Sequence, residues 1–325
     1  MRAPPPLRWG VLGAAWIAER AVLPAIRATG GSIVALGSRD PVRRARLGRR
    51  FQVDHVVPTY PEVLDDPRVE AVYIPLPNRL HEPWTVAAAA RGLAVLCEKP
   101  LADDPQAARR MVAACAAAQV VLAEATMYRY HPRLERLERL VRSGALGELR
   151  HLAAAFCFPL DPAPNIRWDP ELGGGALLDV GGYAVGAVRW LLDAEPVRVV
   201  AAAEWRHGVD AAATAVLGFA SGASASVAVS FVAAEHQRLT LVGTRAVCTL
   251  TRPFTAWVGE ALPLQLERQG RLRLLPAPAA DPYAEMVRAF TRAVRTGDPV
   301  RTAGSDAVAT LDVLSRCRAS ALSPR

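Results

Sequence analysis

The sequence predicts an α/β chain in two parts: a doubly wound parallel sheet over residues 1–126, then an α+β half over 127–325 with a mostly antiparallel sheet. Three observations carry this expectation. Short apolar runs alternate with helical patterns and turn residues from Leu7 to Ala123. Beyond Glu124 that alternation stops, and Val197 to Leu274 reads largely as strand. The length of 325 residues is enough for two domains of ordinary size.

Leu7 to Leu12 is the first strand, and Gly13-Ala14-Ala15-Trp16-Ile17-Ala18 turns it into a helix that closes near Gly30-Gly31, a C-cap signal. Ile33 to Leu36 is the second strand. The helix after it opens at Asp40-Pro41, since proline suits a first helical turn. Ala71 to Ile74 is a further strand, leading through Pro75-Leu76-Pro77-Asn78 into a helix that runs to near Arg91. Leu93 to Leu96 is a buried strand ending at Glu98-Lys99-Pro100. A helix over Asp104 to Ala118 and a strand over Val120 to Ala123 complete the series.

In the second half, Tyr128-Arg129-Tyr130-His131-Pro132 leads a helix to about Arg142, closed by Ser143-Gly144. A strand over Leu149 to Phe158 precedes a proline-rich loop, Pro159 to Pro170. Ala225, Val227, Val229 and Phe231 alternate with Ser224, Ser226, Ala228 and Ser230, the period of a strand with one buried face, and Ser221-Gly222 is the hairpin turn before them. Helices near Tyr283 to Thr296 and Ser305 to Ala319 finish the chain.

Composition excludes several classes. The formal charge is +8, yet the arginines (Arg43, Arg44, Arg46, Arg49 and Arg50 on one helix, for example) interleave with no aromatic platform, so nucleic acid is not expected. Nothing approaches the roughly 20 apolar residues of a membrane span. The start, Met1 to Leu7, is prolines and one arginine with no room for a signal peptide, which predicts a cytoplasmic protein. Five cysteines lie far apart with no Cys-x-x-Cys, so buried thiols are expected and a metal site is not.

Lys99 stands out because the chain has 39 basic residues and this is its one lysine. An ammonium is compact, can be desolvated and shifts its pKa, whereas a guanidinium stays charged and demands a planar fork of partners. Its place at the carboxyl end of a strand is where open α/β sheets bind ligands. The turn after the first strand offers Gly13, Ala15 and Ala18 in the frame of a dinucleotide fingerprint, at a helix N-terminus suited to a pyrophosphate. Gly13, Ala14, Ala15, Trp16 and Ile17 are therefore candidate cofactor contacts. At the end of the second strand, Ser38 and Arg39, with Arg43 one helical turn on, suit a 2′-phosphate, so the expected cofactor is NADP, with NAD as the alternative. Asp40 is the competing sign, though beside Pro41 it reads as an N-cap.

Gly173-Gly174-Gly175 opens another helix, on which Asp179 and Tyr183 lie four residues apart and share a face. Two glycines in its first turns cost about 1 kcal/mol each relative to alanine, which suggests that something flat approaches the helix there.

Glu98-Lys99-Pro100, Pro75-Leu76-Pro77-Asn78-x-x-His81, Asn165-Ile166-Arg167-Trp168-Asp169-Pro170-Glu171-Leu172 with its glycine triplet, and Tyr128-Arg129-Tyr130-His131-Pro132 together resemble the glucose–fructose oxidoreductase/inositol dehydrogenase/MocA (Gfo/Idh/MocA) family over nearly the whole chain. The branch they resemble holds dimeric dihydrodiol dehydrogenases and NADP-dependent D-xylose dehydrogenases. The resemblance implies a Rossmann domain, an open-faced C-terminal sheet that pairs into a homodimer or homotetramer, and hydride transfer between nicotinamide and a sugar-like or cyclic-diol alcohol or ketone. By position it gives Lys99, Asp179 and Tyr183 the catalytic places, and sets Asn78, His81, Glu98, Arg167 and Trp168, with Leu76 of the same loop, at the nicotinamide end. Arg129 is a candidate substrate contact, for a hydroxyl-rich or anionic small molecule, or else a surface ion pair. Many members carry His where this chain has Tyr183. A phenol, with an ordinary pKa of about 10, needs a neighbouring ammonium to exchange protons near neutrality. The alternatives are a nucleotide-linked deoxysugar ketoreductase of the same family, a Schiff-base lyase, and a nucleotide sensor without turnover.

Overall fold

A computed structural model describes residues 5–161, 164–255 and 259–323. Outside the described residues lie the first four of the proline-rich start, 162–163 within the loop expected over Pro159 to Pro170, 256–258 within the strand-rich stretch, and 324–325. The chain divides into two compact units, Met1–Met127 with Tyr283–Val308, and Tyr128–Pro282 with Ala309–Arg325. Residues 283–308 thus belong with the first unit although they lie far down the chain from it.

The first unit alternates strand and helix: β1 (Arg8–Leu12), α1 (Leu23–Ala28), β2 (Ser32–Gly37), α2 (Pro41–Phe51), β3 (His55–Val57), α3 (Tyr60–Leu64), β4 (Ala71–Ile74), α4 (His81–Ala89), β5 (Ala94–Cys97), α5 (Pro105–Ala117) and β6 (Leu122–Glu124). Among the described residues these strands form one sheet in the order β3-β2-β1-β4-β5-β6, and every pair is parallel. The direction of winding reverses between β1 and β4. β4 and β5 are buried at every position, as strands covered on both faces must be. β3 and α3 are additions to the sequence expectation: elements of three and five residues are too short to show a period.

Two aspartates start the unit's longer helices. Asp40 accepts the N–H groups of Val42 and Arg43, and Asp104 those of Gln106 and Ala107, each cap contributing about 1 kcal/mol. The helix Pro282–Thr296 joins the core through Phe290, whose ring lies 5.2 Å from that of the fully buried Trp9. Arg295 of the same helix reaches the Glu70 carboxylate at 2.9 Å and the carbonyls of Pro5 and Pro6.

The second unit holds α6 (Pro132–Arg142), β7 (Leu149–Cys157), α7 (Gly182–Leu192), β8 (Pro196–Arg206), β9 (Val209–Phe219), β10 (Ser224–Ser230), β11 (His236–Gly243), β12 (Val247–Thr251), β13 (Leu264–Arg268) and β14 (Arg271–Leu275). Its sheet runs β14-β13-β12-β11-β7-β10-β9-β8 among the described residues, antiparallel except for β7 beside β10. Ala225, Val227 and Val229 of β10 point to the buried face, where α7 packs on β7 and β10. The opposite face is open: Val200 of β8 is 41% exposed and Val216 of β9 is 55% exposed. Among the described residues no helix is long and apolar enough to cross a membrane, and no cluster of His, Cys, Asp and Glu has the makings of a metal site.

Candidate active site

In the first unit, β1 delivers the chain to Gly13 at φ +123°, a conformation that strains any residue with a side chain. A Cβ there would lie 3.0 Å from Leu76 Cδ2 and 3.1 Å from the Pro75 carbonyl oxygen, so the turns after β1 and β4 abut at the reversal point of the sheet. The Gly13 N–H donates to the Gly37 carbonyl at 2.8 Å. Ala14, Ala15 and Ile17 are half-buried at the start of the following helix, and Trp16 is exposed with the Arg20 guanidinium 5.3 Å from its ring.

At the end of β2, Ser38 is buried and its hydroxyl accepts the Asp40 N–H at 3.3 Å, while Arg44 donates to its carbonyl at 2.5 Å. Both cap bonds of α2 end on Asp40 Oδ1 at 3.0 Å, and Arg43 lies 3.4 Å from the other oxygen. The carboxylate at this strand end is therefore engaged with its own helix, and Arg39 is exposed beside it. A buried hydroxyl and several guanidinium groups remain there, a donor set suited to a phosphate rather than to a ribose hydroxyl.

Lys99 is half-buried just beyond the end of β5, and its bond to Pro100 is cis. Three titratable side chains fix the backbone around it. Glu98 accepts the Lys99 N–H at 3.2 Å on one oxygen and the hydroxyl of the buried Tyr73 at 2.7 Å on the other. His81, fully buried, sets Nδ1 2.9 Å from the Pro100 carbonyl oxygen and Nε2 2.8 Å from that of Leu76. Glu124, at the end of β6, accepts the Leu101 N–H at 2.9 Å. Burial pushes the His81 pKa below the ordinary imidazole value and the Glu124 pKa above the ordinary carboxyl value. Asn78 is half-buried in the short turn Asn78–Leu80, next to Leu76. His81 and Glu98 thus direct their polar atoms at the protein's own backbone and at Tyr73.

In the second unit, the glycine triplet leads into a wide helical turn, Leu177–Gly181, that continues as α7. A Cβ at Gly174 would meet the Arg167 carbonyl oxygen at 2.5 Å, and one at Gly175, where φ is +115°, would meet Asp210 Oδ1 at 2.4 Å. Farther along, Gly181 faces Leu314 Cδ2 at 2.9 Å, whereas a Cβ at Gly182 would meet nothing within 4 Å. The helix surface is thus open to a close approach at Gly182 and closed to one at Gly181. The close approaches come from the protein itself: a carbonyl, a carboxylate and a leucine.

Asp179 and Tyr183 are each buried to nine-tenths or more on this segment. Arg167 Nε donates to Asp179 Oδ2 at 2.8 Å. The Tyr183 ring sits among Tyr128, Phe156 and Phe254, with centroids 5.6, 5.4 and 5.8 Å away, and the Tyr128 hydroxyl donates to the Tyr183 carbonyl at 3.3 Å. Arg129 is buried with its guanidinium 4.3 Å from the Trp190 ring centroid, a cation–π contact. Trp168 donates its indole N–H to the Asp161 carbonyl at 3.0 Å and packs edge-on against Phe231 and His207.

Within the first unit the structure joins Gly13 to Leu76, and His81 to the Lys99 turn. Within the second it joins Arg167 to Asp179. Glu124 and Asp210 are functional candidates that the sequence reading does not contain. Glu124 ends a strand on the same edge of the sheet as Lys99 and could have been found by that position, but no local pattern marks Asp210.

Residues 7–126 match the oxidoreductase family with NAD-binding Rossmann fold (GFO_IDH_MocA), and residues 134–249 match the GFO/IDH/MocA C-terminal domain. D-xylose 1-dehydrogenase (NADP(+)) 2 of Haloferax volcanii is 37% identical over 318 residues, 97% of each chain. The dTDP-3,4-didehydro-2,6-dideoxy-alpha-D-glucose 3-reductase of Streptomyces antibioticus is 36% identical over 321 residues, 98% of each chain. Among solved structures, a 3-ketoreductase from Actinomadura kijaniata in complex with NADP and TDP-benzene superposes with a TM-score of 0.90 at 33% identity, over 97% of this chain and 98% of that one.

Proposed function

The chain belongs to the Gfo/Idh/MocA oxidoreductase family and is an NAD(P)-binding enzyme, and from this premise we propose that it transfers hydride between NADP(H) and a sugar-like or cyclic-diol alcohol or ketone, with Tyr183 as acid/base assisted by Lys99 and Asp179. The observation that carries the reading is the chain's one lysine at the carboxyl end of a parallel strand, its backbone fixed by Glu98, His81 and Glu124. Restraint on that scale suits a group whose position matters to within fractions of an ångström.

The residues present fit a dinucleotide. The turn at Gly13 opens a helix N-terminus beside the β4 loop, and Ser38, Arg39 and Arg43 offer donors where the Asp40 carboxylate is engaged. Gly13, Ala14, Ala15, Trp16 and Ile17 would take the pyrophosphate, and Leu76 and Asn78 the nicotinamide side. A bound nicotinamide supplies the hydride donor or acceptor.

The chain's own groups handle the proton. In oxidation the Tyr183 oxygen takes the proton of the substrate hydroxyl, and in reduction it returns one to the carbonyl oxygen. The Lys99 ammonium favours the phenolate, and lowering a phenol pKa by about two units requires about 2.7 kcal/mol of differential interaction. Asp179, held by Arg167, accepts from substrate hydroxyls and balances the ammonium.

A second reading within the family is a ketoreductase of nucleotide-linked deoxysugars. It is favoured by the names of the relatives from Streptomyces antibioticus and Actinomadura kijaniata. One panel separates the two: D-xylose, D-glucose and trans-1,2-dihydrobenzene-1,2-diol with NADP⁺, and a dTDP-linked keto-deoxysugar with NADPH, followed at the nicotinamide absorbance. Turnover of the first group supports the primary reading and turnover of the last alone supports the second. No hydride transfer with any of them refutes both, and equal or better kcat/KM with NADH refutes the NADP assignment. Pairing through the open sheet face into a dimer or tetramer is part of the same proposal, and a monomer by sedimentation would overturn that part.

A further inference from the structure

Asp210 is the second residue of β9, and the structure seats its carboxylate in the glycine turn that begins the helix of Asp179 and Tyr183. Only 2% of the residue is exposed. Oδ2 accepts the Leu177 N–H at 2.6 Å, and the N–H groups of Ala176 and of Asp210 itself also act on the carboxylate. Oδ1 lies where a Cβ of Gly175 would be, so only glycine admits the carboxylate at this distance. The residue before the wide turn, Ala176, has no side chain able to cap it, and Asp210 serves as the cap from 33 residues away.

This is a costly way to start a helix. An exposed Ser, Thr or Asp on the chain itself would satisfy the same N–H groups without burying a charge. Arg318 of the closing helix Gly304–Leu322 bears on Asp210, with its guanidinium 5.8 Å from the ring of Trp205, the uncharged register partner of Asp210 on β8. The nearest titratable group on the capped segment is Asp179, two residues past the capped N–H. Burial nevertheless pushes the Asp210 pKa up to about 6.

We propose that Asp210 is a positioning residue for the reaction: its buried carboxylate fixes the first turn of the helix, and through that turn the mutual placement of Asp179 and Tyr183. This rests on the reading of those two residues as catalytic. Replacing the carboxylate by an amide puts a donor among these N–H groups, which loosens the turn without touching the substrate or the cofactor.

The test uses the full-length enzyme with the panel substrate turned over fastest, in Asp210→Asn, Gly175→Ala and the double variant. Both single changes act on one contact, so each should lower kcat about tenfold and the double should be no worse than the weaker single. The Kd for NADPH should not move. The loss should fall on kcat more than on KM for the substrate. Independently of any substrate, amide hydrogen exchange over residues 175–185 should accelerate in Asp210→Asn. Wild-type kcat in Asp210→Asn, a loss confined to KM for the substrate, or unchanged exchange in this segment overturns the proposal. Tyr183→Phe separates the two levels. An inactive Phe variant beside a fully active Asp210→Asn sinks only the positioning role, whereas a fully active Phe variant sinks the catalytic reading.

Discussion

Arg167→Met removes the guanidinium from Asp179 and asks whether that ion pair serves the chemistry or the cofactor. The bond is short, 2.8 Å from Nε to Oδ2, and the Asp179 side chain is 12% exposed while that of Arg167 is 37% exposed. A hydrogen bond to a charged group contributes about 1.5–3 kcal/mol when buried, and an exposed ion pair about 0.2–1 kcal/mol. With one partner buried and the other about a third exposed, the lower end of the buried range applies, about 1.5 kcal/mol. That corresponds to about a tenfold loss in kcat/KM for the sugar substrate. Arg167→Lys should recover part of it, because the charge returns without the planar fork. Steady-state rates at saturating NADP⁺, followed at the nicotinamide absorbance, give the answer. The loss should appear in kcat with KM for NADP⁺ unchanged. Wild-type kcat/KM in Arg167→Met, or a rise confined to KM for NADP⁺, would refute the reasoning and return Arg167 to the nicotinamide.

Lys99→Arg keeps the charge but not the compact ammonium, and should lower turnover by about 100-fold or more with little change in NADP(H) affinity; Tyr183→Phe should lose at least as much, and single-turnover rates decide both. Arg39→Ala should raise KM for NADPH about tenfold and leave NADH kinetics alone, the loss of a single phosphate contact. Glu124→Ala leaves the buried Leu101 N–H without its acceptor, which should cost about 1–3 kcal/mol in urea unfolding, together with activity, since the Lys99 turn loosens. Asp210 gives a pH dependence of stability with a definite sign. Its pKa is raised from 3.8 to about 6 on folding, so its contribution is fully present at low pH and is lost as pH rises from about 4 to about 6. About two units correspond to about 3 kcal/mol, and Asp210→Asn should lack this part of the slope in unfolding curves taken across that range.

Much of the first unit was legible because its signals are local. Apolar runs bounded by turn residues marked β1, β2, β4, β5 and β6, and Asp40 before Pro41 announced a cap whose N–H partners lie two and three residues away. The glycine triplet was visible too, but its cause was not. Gly174 and Gly175 answer to the carbonyl of Arg167 and the carboxylate of Asp210, and neither contact follows from the sequence around them.

By itself the sequence determined where the chain turns, which faces are apolar, and that one amine stands at the end of a parallel strand. Periodicity, caps and turn chemistry act over a few residues, so they can be read without knowing what packs against what. Tertiary structure decided the partners: Asp179 with an arginine 12 residues before it, Glu124 with the backbone 23 residues before it, Asp210 with a helix start 33 residues before it, and Trp9 with Phe290 near the other end of the chain. Those pairings depend on how separate elements pack, and the energy that selects them is burial summed over the unit, which no stretch of sequence contains.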